Sequence, residues 1–103
     1  MIENKVYTPQ EMMYHRIYTD DYCFMTEPCD VEGTLVLKAE SRKPGILRVF
    51  FQLCDGRKII TPVFWWQKYL GFYNIDIGTR LRLTYQPGRD GEVYLAKAEK
   101  SEQ

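Results

Sequence analysis

The residues of this chain that could do chemistry are rings and cations, with no nucleophile set beside a base. Arg48, Phe50 and Gln52 alternate along one apolar run, Arg42 and Lys43 precede it, Lys58 follows it, and Arg89 stands in a later turn. A ring flanked by cations suits a single-stranded nucleic acid, because bases stack on the ring while the backbone pairs with the cations. The plain alternative is that Phe50 packs under the amino-terminal residues and that the cations are a solvated face. A second group, Trp65, Trp66, Tyr69, Phe72 and Tyr73, is the densest aromatic cluster. Core is its default role, but one side of a ten-residue helix does not bury five large rings, which points to a protein partner or a homo-oligomer.

Catalysis and metal binding find little support in residue types or spacing. The chain has one His and lacks both a GxSxG elbow and a phosphate-cradling GxxxxGK, and Asp20 and Asp21 are adjacent rather than opposed. The reading is a protein that is not an enzyme. His15, Cys23, Cys29 and Cys54 show no CxxC or HxxxH spacing, so no metal and no cofactor are expected.

Three cysteines, an odd and irregular set, fit free thiols in a cytoplasm better than a disulfide framework. The opening Met1-Ile2-Glu3-Asn4 has no basic stretch leading into an apolar run, which predicts no secretory signal, and no apolar run approaches the roughly 18 residues of a membrane helix.

Composition narrows the choice further. The 103 residues hold 14 Lys+Arg against 14 Asp+Glu, which removes the simplest argument for tight nonspecific binding to phosphate backbones, so any such contact must be local. The neutral total conceals an asymmetry, with two Lys/Arg against six Asp/Glu in residues 1–30 and twelve against eight in 31–103. Such a division hints at a charged partner. The acidic segment either folds back over the cationic loops as a lid or lets Tyr14, Ile17, Tyr18, Tyr22 and Phe24 extend the core. Five large apolar side chains in eleven residues favour packing.

These groups need elements to position them. Thr8-Pro9-Gln10-Glu11 predicts a helix start with Thr8 as cap, and the helix is read over 9–17. From Val31 the period becomes two. Leu35 to Ala39 reads as a first strand entered through Gly33, and Ile46 to Cys54 as a second, with Leu47, Val49, Phe51 and Leu53 on one face and Arg48, Phe50 and Gln52 on the other. Asp55-Gly56 makes a tight turn into a third strand, Lys58 to Val63, that Pro62 assigns to an edge. A short aromatic helix ended by Gly71 follows. Arg80 to Tyr85 and Val93 to Ala98 are the fourth and fifth strands, before a frayed polar tail over 99–103.

Five strands, a helix between the third and fourth and a Gly near the start of the first resemble the oligonucleotide/oligosaccharide-binding (OB) fold, over roughly residues 31–99. That resemblance implies a mainly β, five-stranded Greek-key barrel, with residues 1–30 as an acidic extension packed on a barrel of 31–103 in one domain. It also implies a ligand crossing strands two and three, where Arg48, Phe50, Gln52 and Lys58 lie, between the loops of Arg42-Lys43 and of Arg89. An SH3-like barrel is the structural alternative, although it lacks the aromatic helix.

Overall fold

In the computed structural model, which describes residues 3–101, the sheet order follows from one long shared strand. The strands are β1 (Val6–Tyr7), β2 (Cys29–Glu40), β3 (Ile46–Leu53), β4 (Lys58–Phe64), β5 (Arg80–Pro87) and β6 (Val93–Lys100). Their order is β4-β3-β2-β5-β6, with β1 beside β2. β2 pairs with β3 through Gly33 to Glu40 and with β5 through Cys29 to Thr34, both antiparallel. Beyond Thr34 the edge that β5 leaves is taken by β1, which pairs in parallel with Lys38 and Ala39. Three strands joined by hairpins and a fourth returned beside the first make a Greek key. Gly33 stands where both neighbours meet β2, and a Cβ there would fall 2.8 Å from Leu53 Cδ2. β6 runs to Lys100 where a frayed tail was expected. Met1, Ile2, Glu102 and Gln103, on which the readings of both termini partly rest, lie outside the described residues.

One irregularity in β2 divides the interior. The pairing with β3 slips between Leu35 and Leu37, leaving Val36 as the extra residue of a bulge. Two residues apart on an unbroken strand would share a face, but the slip sends Leu35 and Leu37 to opposite faces. Leu35 joins the main core with Val49, Phe51, Leu81, Leu83 and Leu95. Leu37 joins a second core with Tyr7, Met12, Ala39 and Phe50 on the other side of the sheet.

The expected closed barrel, OB-like or SH3-like, does not form: β4 and β6 share no ladder, and the antiparallel sheet stays open. From Ile60 onward, the outward edge of β4 has no amide left to donate. Ile60 N already bonds Cys23 O, Pro62 has no N–H, and Phe64 N bonds Gln67 Oε1 at 3.1 Å. Side chains bridge the seam instead. Gln67 Nε2 donates to Leu95 O at 2.9 Å, and the hydroxyls of Thr61 and Tyr85 lie 2.8 Å apart. The Tyr85 hydroxyl titrates high, at about 12, mainly because it is buried.

Two helical expectations need correction. The first helix, α1, covers Pro9–Tyr14 and stops short of residue 17. Its start is as read, since Thr8 Oγ1 accepts from Glu11 N and Glu11 Oε1 accepts from Thr8 N. It ends because Arg16 turns to a φ of +55°, with Arg16 N on Met13 O and Ile17 N on Met12 O. That pattern is a Schellman motif, and it returns Ile17 onto Met12 in the second core. In place of an α-helix over the aromatic stretch stand two 3-10 helices, Trp65–Leu70 and Phe72–Asn74, parted by Gly71 at a φ of +73°. With three residues per turn, Gln67 and Leu70 face inward together, and Trp65, Trp66 and Tyr69 face out.

Candidate binding surfaces

The outward face of β3 is not an open ligand face. Phe50 has 0% of its surface exposed, and its ring meets Tyr22 edge-on at 5.1 Å. The amino-terminal residues cross this face, held by β1 on one side and on the other by the Cys23–Ile59 bridge to β4. Stacking of a base on Phe50 is therefore ruled out in this conformation. Lys58 is engaged as well. It pairs with Asp21 at 2.7 Å above the Tyr22 ring, and that hydrogen bond raises the lysine and lowers the carboxyl, so the two partners agree. Gln52 is exposed on β3, and Arg89 is exposed in the β5–β6 turn.

Three of the predicted residues do come together. Arg42, Lys43 and Arg48 line one cleft of about 570 Å³ between α1 and the β2–β3 turn. The hairpin carries Arg48 back under the turn, where its guanidinium donates to Glu40 O at 3.0 Å and lies 5.9 Å from the Phe50 ring centre. Burial, and then the neighbouring charge of Arg42, lowers the Arg48 pKa. The far wall is residues 9–20, so the extension builds half of this cleft. Sequence reading assigned Tyr18 to the core, together with Tyr14 and Phe24, and did not single out Met13; all four are exposed, and Tyr18 and Met13 line this cleft with the cations.

The aromatic stretch is split by the 3-10 geometry. Phe72, read as an interface residue, is core: it is 2% exposed and its ring packs on Phe51 at 5.8 Å. Trp65, Trp66, Tyr69 and Tyr73 are 74%, 51%, 63% and 65% exposed. Phe64, which sequence reading did not single out, stacks on Trp66 at 5.9 Å with the planes 2° apart. Trp65 lies over Gly45 of the β2–β3 turn, where a Cβ would come within 3.3 Å of the indole. Beneath the rings, Gln67, Leu70 and Phe72 are anchored in the sheet seam and the main core. The result is a corner of five rings on a fixed base, with Lys68 as the single charge between Phe64 and Ile75.

Elsewhere, Lys38 is 3% exposed on the main-core face, donates to Ile75 O at 2.8 Å, and is shifted down by burial. Cys23, Cys29 and Cys54 are free thiols. Among the described residues no three His, Cys, Asp or Glu gather as a metal site, and no helix is long and apolar enough to cross a membrane. No protein-family model, curated protein or solved structure matches this chain.

Proposed function

We propose that the protein is a noncatalytic interaction module, an OB-like Greek key left open at the β4–β6 seam, whose corner of Phe64, Trp65, Trp66, Tyr69 and Tyr73 docks a protein. The strand order and the position of the 3-10 segment before β5 support the scaffold. One observation carries the function: four large rings are at least half exposed within nine consecutive residues that also hold three buried anchors, Gln67, Leu70 and Phe72. Together the five rings leave about 600 Å² in water, at the upper end for the largest apolar patch of a monomer. The segment from Phe64 to Ile75 carries a single lysine among its rings, and such ring-rich exposed surface suits the apolar centre of a protein interface.

A second copy of the chain suffices as partner. Two corners facing across a twofold axis remove at most about 1,200 Å² of ring surface from water, which reaches the lower bound of a standard interface. Sedimentation velocity over a concentration series tests this, with Trp65→Ser/Tyr69→Ser as the comparison. A mass of twice 12.3 kDa that the double variant abolishes is the expected result. A wild-type monomer at all concentrations, with no defined protein lost from its pull-down when the rings are removed, overturns the proposal.

A further inference from the structure

The cleft between α1 and the β2–β3 turn carries a different ligand chemistry. It gathers three cations, and the five ion pairs among the described residues involve none of them. Lys58, the next cation on this side of the sheet, is by contrast neutralised by Asp21. The positive charge of Arg42 acts on Arg48, second to burial in disfavouring its charged form, and a bound anion would offset that repulsion. Arg48 Nε is buried and finds no acceptor, so the guanidinium's hydrogen bonding is incomplete in the free protein. A buried donor without a partner is uncommon, but this atom is enclosed, so an anion in the cleft meets the accessible cations of Arg42 and Lys43 and the outer part of the Arg48 guanidinium. Asp20 is the one carboxylate on the lining, and Ser41 adds a hydroxyl at the foot of the turn.

The remaining wall decides what the anion is attached to. Met13 and Tyr18 line the same cleft and are 73% and 76% exposed, so a flat ring and a polarisable side chain stand beside the cations. A ligand that uses both halves has a charged oxyanion and a planar face. A cleft of about 570 Å³ is within the range of small-molecule sites and holds one such unit. We infer that this cleft binds a nucleotide unit, its phosphate on Arg42, Lys43 and Arg48 and its base against Tyr18. The site shares no lining residue with the aromatic corner, which meets the same turn at Gly45, and it uses residues 9–20 as a wall.

Free nucleotide and single-stranded nucleic acid share this chemistry, and two probes separate them: fluorescein-labelled oligothymidylate followed by anisotropy, and thymidine monophosphate as its competitor. Measurements at low and physiological salt on the full chain are expected to show saturable binding that weakens with salt. Competition by the monophosphate at similar affinity assigns free nucleotide; binding of the oligonucleotide alone assigns a strand. Arg42→Glu/Lys43→Glu lies on an exposed turn and leaves the fold intact, which thermal melting verifies. It is expected to weaken binding at least about tenfold and, for the strand, to lower the salt slope by about 1.4. Tyr18→Ala is expected to cost about tenfold, and Lys68→Glu on the aromatic corner to change nothing. No binding of either probe at low salt overturns the inference. So does binding that the charge reversal or Tyr18→Ala leaves within twofold of wild type. None of these outcomes depends on the mass distribution that tests the corner.

Discussion

Two ring-rich regions of this small protein meet opposite fates. Phe50 lies on the outward face of a strand whose alternation advertises a ligand surface, yet it is buried beneath the amino-terminal residues, whose own rings Tyr7 and Tyr22 are buried and half-buried against the second core. Trp65, Trp66, Tyr69 and Tyr73 belong to a segment that reads as a core helix, and they are exposed. Ring content is similar in the two places; the difference is what the chain lays over them. Residues 5–25 cross the first face and are tied down at β1 and at Cys23, whereas no described segment crosses the second. An aromatic surface is thus a docking site or a core according to cover alone, and the cover comes from residues distant in sequence.

The sharpest way to break this contrast is at Phe50. Replacement by Ala removes a fully buried ring and is expected to cost about 3–5 kcal/mol in denaturant unfolding. A loss below about 0.5 kcal/mol would show that the amino-terminal segment does not cover that face. Gln67→Ala comes next: it orphans Phe64 N and Leu95 O across the seam and is expected to cost about 2–3 kcal/mol, whereas a neutral result would detach the corner from its anchor.

Tyr85, on β5, offers a pH test of the buried contact with Thr61 of β4 beside that seam. Its folded pKa of about 12 exceeds the ordinary 10.0, so its contribution is fully present below pH 10 and is lost as pH rises from 10 to 12. The loss is on the order of 2 kcal/mol, and Tyr85→Phe abolishes that alkaline dependence. Glu11 runs the other way. Hydrogen bonds from Lys5 and from Thr8 N lower its carboxyl to about 2, so helix stabilisation is present above pH 4.5 and fades as pH falls toward 2, visible as a small loss in an acid melt. The smallest effect belongs to the corner: Trp65→Ser/Tyr69→Ser is expected to stay within about 0.5 kcal/mol per site, because exposed rings add little to folding. A large loss would make the corner core after all.

Much of the sheet was legible because period-two alternation is local. The inward set Leu47, Val49, Phe51 and Leu53 and the inward Leu81, Leu83 and Tyr85 are all buried as their spacing implies. Pro62 does stand on an edge strand, and Thr8-Pro9 does start a helix. The helix end was not legible, since an arginine in the left-handed region carries no composition signal. The 3-10 geometry was hidden too. It depends on Gln67 reaching a β6 carbonyl twenty-eight residues away, and four-residue spacing in the sequence suggested the wider α-helical turn.

The candidate surfaces divide in the same manner. The sequence by itself determined which residues could bind: cations at 42, 43 and 48, rings at 65, 66, 69 and 73, and a charge balance that keeps any phosphate contact local. Tertiary structure alone decided which of them are available, through a one-residue bulge at Val36 that splits Leu35 from Leu37, a returning segment that seals Phe50, and a side-chain clip that leaves the sheet open. The physical reason is range. Alternation, capping and turn chemistry act between neighbours in sequence, whereas burial depends on which distant segment excludes water from a face.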